Sequence, residues 1–209
     1  MFDMSSKNVG LATLIVLIAI MAFSALTVKP QFESPSLVFK EEPIEKNTEF
    51  QLQPGEQYVY SYVFNNTPIN ITYQVLGGAG CTAIRVAESV NSSETCVDKW
   101  GNDRGGYNST LGNPQILLFK PWMLALNQGW HWNSSLYMSF NGSLQYMAGI
   151  EYRVLRIENY LGRPAFVVRE NASNGLPQYE WIDVEKRVLL KLKGENYEIT
   201  LTDGLPITN

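Results

Sequence analysis

The sequence predicts a mainly β protein: an antiparallel sheet curled into a half-barrel or a sandwich, preceded by one amino-terminal transmembrane helix. Three observations carry this. After Thr48 the chain divides into short runs rich in Val, Ile, Tyr and Phe, several alternating at period two, with Gly, Pro, Asn and Ser between them. Charged residues make up only 17% of the 209 residues and aromatics 12%, with 16 Gly and 10 Pro to form turns. At the amino end stand 21 consecutive uncharged residues, Asn8 to Val28.

That stretch sets the domain boundaries. A helix over residues 9–27, at about 1.5 Å per residue, reaches the roughly 30 Å of a hydrocarbon core. Ala22-Phe-Ser-Ala25 offers the small residues of a signal-peptide cleavage site, but the apolar run exceeds the usual core of roughly 7–15 residues, so an uncleaved anchor is the expectation. Residues 1–8 carry Lys7 and the amino terminus and are expected inside the cell, leaving the rest of the chain outside. Residues 28–47 hold Pro30, Pro35 and Pro43 and read as a stalk, although Ser36-Leu-Val-Phe39 also reads as a strand for this domain or a neighbour. Residues 48–209 form the β domain.

Within that domain the expected strands are Gln57 to Phe64, with Tyr58, Tyr60 and Tyr62 on one face, then Ile69 to Leu76, Ala83 to Val86, Leu136 to Phe140, Tyr152 to Ile157, Ala165 to Val168, Tyr179 to Val184, Arg187 to Leu192 and Tyr197 to Leu201. Pro121 to Leu126 alone reads as the start of a short helix. The order of motifs recurs. Leu52-Gln-Pro-Gly55 followed by Tyr58 and Tyr60 is echoed by Leu126-Asn-Gln-Gly129 followed by Trp130 and Trp132. Tyr73-Gln-Val75 is echoed by Tyr152-Arg-Val154, and Asp98 by Asp183. An internal duplication with halves 48–120 and 121–209 is the expectation.

The compartment is read twice more. Asn-X-Ser/Thr sequons occur at Asn65, Asn70, Asn91, Asn108, Asn133, Asn141 and Asn171, whereas 17 Asn and 26 Ser or Thr in 209 residues predict about two by chance. All seven follow the apolar segment, so N-linked glycans on an exported domain are expected. Cys81 and Cys96 are the only cysteines; outside the cell they pair, closing a loop worth roughly 3 kcal/mol.

Composition excludes several chemistries. The net charge of −4 offers no basic surface for nucleic acid, and a single histidine with two cysteines leaves no metal or nucleophile–base constellation. His131, between Trp130 and Trp132, points away from both on a strand. Asp98 and Asp183 read as turn residues, and Gly77-Gly-Ala-Gly80 as a turn before Cys81. No catalytic residue, metal or cofactor is expected. Trp122, Trp130, Trp132, Tyr137 and Phe140, in a stretch almost without charge, are candidates to line an apolar groove.

The run Tyr152-Arg-Val-Leu-Arg-Ile-Glu158, Gly162-Arg-Pro-Ala-Phe-Val-Val168 and Trp181-Ile-Asp-Val-Glu-Lys-Arg-Val-Leu-Leu-Lys191 resembles the strand signature of LolA-like lipoprotein carriers and related envelope proteins. The resemblance implies a curled antiparallel sheet sheltering an apolar groove, and carries over no binding residue. The expected function is that of a membrane-anchored, N-glycosylated cell-surface protein with a non-catalytic binding or structural domain, in a setting such as an archaeal envelope. The alternatives are a subunit of an extracellular filament or pilus, formed by self-assembly, and a lipid-binding carrier or accessory subunit that joins other envelope proteins in a membrane complex.

Overall fold

The computed structural model describes residues 36–205 apart from 65–66, 79, 89–90, 106–110, 113–115, 141 and 174. The apolar segment, the short end before it and the first part of the stalk lie outside the described residues, as do the sequons at Asn65, Asn108 and Asn141. Among the described residues no helix is long and apolar enough to cross a membrane.

Alternating sequence becomes strand throughout. In chain order these are β1 (Ser36–Glu41), β2 (Gln57–Phe64), β3 (Thr67–Gly78), β4 (Cys81–Glu88), β5 (Asn91–Val97), β6 (His131–Phe140), β7 (Ser143–Tyr160), β8 (Arg163–Ala172), β9 (Gln178–Asp183), β10 (Leu189–Lys193) and β11 (Glu198–Asp203). All eleven join one sheet in the order β1-β6-β7-β8-β9-β10-β11-β2-β3-β4-β5. The sheet is antiparallel, curled and unclosed, with β1 and β5 at its edges, so the sandwich alternative is replaced by a single layer. A sandwich needs two sheets, and the β11–β2 ladder, with Leu201 opposite Tyr60, makes the two halves continuous. Ser36 to Phe39 is a strand of this domain: it pairs with β6, Ser36 facing Ser139 and Phe39 facing Leu136.

The two halves repeat specific pairings. Tyr58 stands opposite Tyr73 and Trp132 opposite Tyr152. Val75 N donates to Glu56 O at 2.8 Å and Val154 N to Trp130 O at 2.9 Å. Gly55 and Gly129, which precede β2 and β6, take φ of +94° and +84°. The turns after β5 and β9 begin with Asp98 and Asp183, and Gly101 and Arg187 within them adopt φ of +73° and +58°. At Gly101 a side chain is excluded for a second reason: a Cβ would lie 2.2 Å from the Phe119 ring.

The connection between the halves covers the sheet. Ile116, Leu118, Phe119 and the whole 3-10 helix Pro121–Ala125 are buried, and they form one core with Tyr58, Tyr60, Tyr73, Ile84, Trp132, Val168 and Ile182. Proline at the first helical position suits this short element, since no N–H is needed there. The carbonyls that so short a helix leaves unpaired are met from outside. Asn47 donates from N to Leu124 O and from Nδ2 to Ala125 O and Leu126 O, and Arg187 donates from Nη1 to Leu126 O at 2.9 Å. Leu189 N, on β10, donates to Leu118 O at 2.9 Å and ties the connection to the sheet.

Two of the buried tyrosine hydroxyls are satisfied in the same way. Tyr60 Oη donates to Leu189 O at 2.5 Å, and Tyr73 Oη accepts from Leu117 N at 3.1 Å. Each polar end thus pairs with the backbone that buries it, avoiding the cost of a lone buried donor.

Candidate functional site

The aromatic residues separate into two places. Trp122 and Trp132 are buried and half-buried Trp130 stacks on Trp122 with ring centroids 5.6 Å apart; Tyr152 joins them, 4.9 Å from Trp122 and 5.5 Å from Trp132. These rings pack against one another inside the core. Tyr137 and Phe140 lie farther along β6, where Phe140 is 47% exposed and Tyr137 meets Tyr146 edge-on at 5.7 Å. The expected single groove is therefore divided, three of its residues serving as packing and two lying towards the end of a hairpin.

An open groove does exist in the first half. Ile71, Tyr73, Val86, Glu88, Asn91 and Leu117 line a space of about 410 Å³ beside the edge strand β5. Its wall mixes apolar side chains with Glu88 and the sequon residue Asn91. Strand β5 is absent from the sequence-based expectations because Asn91-Ser-Ser-Glu-Thr95 is polar at every position. Its pairing with β4 is what makes it a strand, and the Cys81–Cys96 disulfide, with Cα atoms 5.8 Å apart, links the two.

A buried polar cluster also went unread in the sequence. Tyr152, Glu170 and Gln178 stand abreast on β7, β8 and β9, and Glu180 lies two residues along β9 from Gln178, opposite Val168. Glu170 accepts hydrogen bonds from Tyr152, Gln178 and the protonated Glu180. Burial pushes both carboxyls upward, that of Glu180 to about 8, where the neighbouring Glu170 charge adds to the effect and Lys120 opposes it. Burial lowers Lys120 to about 8 against the pull of the two glutamates. The pair behaves as two carboxylates sharing a proton beside a lysine. Glu180 is only 7% exposed, whereas Glu170, Gln178 and Lys120 are half-buried. Its signal is present in the sequence: Glu170 is in phase with Phe166 and Val168, and Glu180 with Ile182, which are inward positions.

Asp98 and Asp183 are turn residues, each for a local reason. Asp98 Oδ1 accepts from Trp100 N at 2.8 Å and Asn102 N at 2.9 Å; Asp183 Oδ1 accepts from Glu185 N at 2.9 Å and Lys186 N at 2.6 Å. Asp183 is fully buried, which the sequence does not reveal. His131 is exposed and Trp132 buried, as alternation requires. Of the described sequon residues, Asn70, Asn91 and Asn133 are exposed and Asn171 is half-buried. Asn133, Glu151 and Asn171 form one row across β6, β7 and β8, and Asn133 Nδ2 donates to Glu42 Oε1 at 3.3 Å.

Fold and site together define an open, curled antiparallel sheet closed over by its own connecting segment. No family model matches the chain, and no curated protein matches it. Among solved structures it is similar to a protein of Bacteroides fragilis described as exported and as having a YmcC-like fold, at 14% identity and a TM-score of 0.37, covering 74% of this chain and 97% of that one.

Proposed function

We propose that the protein is a membrane-anchored, N-glycosylated cell-surface protein whose duplicated β domain binds or supports other envelope components without catalysis. The observation that carries this reading is the coincidence of seven sequons and a paired Cys81–Cys96 on one side of an uncharged, 21-residue segment. Exposed Asn70, Asn91 and Asn133 are accessible to a glycosyltransferase, and a disulfide suits an oxidising compartment. The repeated Tyr58–Tyr73 and Trp132–Tyr152 pairings support duplication. The LolA-like carrier remains the second reading, favoured by the curled sheet and by the groove beside β5; the core-filling Ile116 to Leu126 segment occupies the place where such a carrier would hold lipid. Assembly into a filament through β1 would require exchange of that strand, because it pairs with β6 of its own chain.

Purification of the native protein in mild detergent, with intact-mass and lipid analysis, tests the proposal. The expected result is a chain that retains residues 9–27, carries sugar and holds no stoichiometric lipid. An unglycosylated chain beginning after Ala25 refutes it, and one co-purified lipid per chain replaces it with the carrier.

A further inference from the structure

Pairing in the first half sets two rows of side chains on the face that carries the core. Ile71, Glu88 and Asn91 stand abreast on β3, β4 and β5, and Tyr73, Val86 and Ser93 form the next row. The phase is fixed by Val75, Ile84 and Val97, which continue the same faces of the three strands and are buried. Asn91 and the hydroxyl of its sequon, Ser93, therefore line the groove of about 410 Å³ from within the curl of the sheet. Exposure falls along β5 from exposed Asn91 through half-buried Thr95 to buried Val97, so the groove opens at the Asn91 end. Leu117, from the connection between the halves, forms a further wall and is held by its N–H donating to Tyr73 Oη at 3.1 Å.

The composition of the wall identifies what fits. Ile71, Val86 and Leu117 offer a hydrocarbon floor, while Glu88, whose Oε1 accepts from Tyr62 Oη at 3.2 Å, stands exposed at the rim opposite Asn91. A pyranose ring has the matching parts: a face of C–H groups for the floor, and hydroxyls that donate to a carboxylate in the stronger, charge-assisted kind of hydrogen bond. A lipid chain matches the floor but not the rim of Glu88, Asn91 and Ser93. The volume lies within the roughly 300–1,000 Å³ of small-ligand sites. Tethering decides the competition. A sugar on Asn91 Nδ2 meets the groove at an effective concentration on the order of millimolar, so contacts too weak to hold a free sugar are populated.

We propose that the N-linked glycan on Asn91 folds back into this groove, its first sugars covering Ile71, Val86 and Leu117 and donating to Glu88. The inference rests on the glycosylation proposed above. It adds a place for one of the sugars: the Asn91 glycan covers the open end of the core and closes the groove to free ligands. Asn70 supplies the contrast. It precedes Ile71 on β3 and so faces the other side of the sheet, where Ser61 stands opposite it. A glycan there extends into water.

The test uses the full chain from a eukaryotic secretory host, held in mild detergent and treated with an amidase that cuts the sugar–asparagine bond. Each cut converts Asn to Asp, so release is read site by site by peptide mass spectrometry. The expected result is release several-fold slower from Asn91 than from Asn70 in the folded chain, with the two rates converging after denaturation. Glu88→Ala, at an exposed position, is expected to speed release from Asn91 several-fold and to leave Asn70 unchanged. Equal rates at the two sites in the folded chain overturn the inference and leave the glycoprotein standing, as does an Asn91 without sugar beside a glycosylated Asn70. Slow release from Asn91 that Glu88→Ala does not change assigns the protection to the chain around Asn91 itself and overturns the groove contact. One lipid per chain together with rapid release from Asn91 gives the groove to a carrier instead. A chain without sugar at any sequon removes the glycoprotein reading, and this inference with it.

Discussion

Arg163 Nε donates to Asp183 Oδ2 at 2.5 Å, joining the start of β8 to the end of β9. The Asp183 side chain is 1% exposed, and its other oxygen takes the two amides of the following turn. One carboxylate thus fixes both a strand pair and the reversal that leads to β10. Replacing Asp183 with Ala leaves Arg163 with only exposed Glu185, 3.7 Å away, and the turn amides bare. The expected loss is about 3–5 kcal/mol of unfolding free energy, measured by urea denaturation. A loss below about 1 kcal/mol would show that the ion pair is incidental.

The acid pair makes stability depend on pH in a stated direction. Glu180 titrates at about 8 in the folded chain against an ordinary 4.5, so between those values the folded state holds more protons than the unfolded one, and stability falls as pH rises. Lys120 is lowered from 10.5 to about 8, so above that point its contribution reverses and stability rises. A minimum from this cluster is expected near pH 8. Glu180→Gln keeps the shape without the charge. It is expected to reduce the fall in Tm between pH 5 and 8, leaving the part that buried Glu170 contributes, and an unchanged slope would reject the shared proton.

The disulfide holds an edge strand. Reducing it, or replacing Cys81 and Cys96 with Ser, is expected to cost about 3 kcal/mol. Amides of β5 should then exchange with solvent before those of β7 and β8. Uniform acceleration across the sheet, read by hydrogen exchange, would show that the loss acts on the whole fold instead.

Two aromatics from one uncharged stretch are expected to behave differently. Trp122→Ala empties a site enclosed by Trp130 and Tyr152 and should cost about 3–5 kcal/mol. Phe140→Ala, at an exposed position, should change stability by no more than about 0.5 kcal/mol. Similar Tm shifts for the two would contradict the division between core and projecting tip.

Local pattern was enough for the strands whose side chains alternate. Gln57 to Phe64 coincides with β2 because Tyr58 and Tyr60 bury one face, and the Asp98 and Asp183 turns follow from what a short carboxylate does beside free amides. The echo of Leu52 to Gly55 in Leu126 to Gly129 is visible in the sequence too, and each run precedes a strand, β2 and β6. Other features depend on partners distant in the chain. Polar β5 becomes a strand only through its ladder with β4. Glu170 and Glu180 become a proton-sharing pair only when β8 and β9 lie side by side beneath Lys120. Trp122 becomes core and Phe140 surface because the connection between the halves folds onto the sheet while the β6–β7 hairpin runs past its edge. Periodicity records which way a side chain faces; what it faces is set by contacts across the sheet.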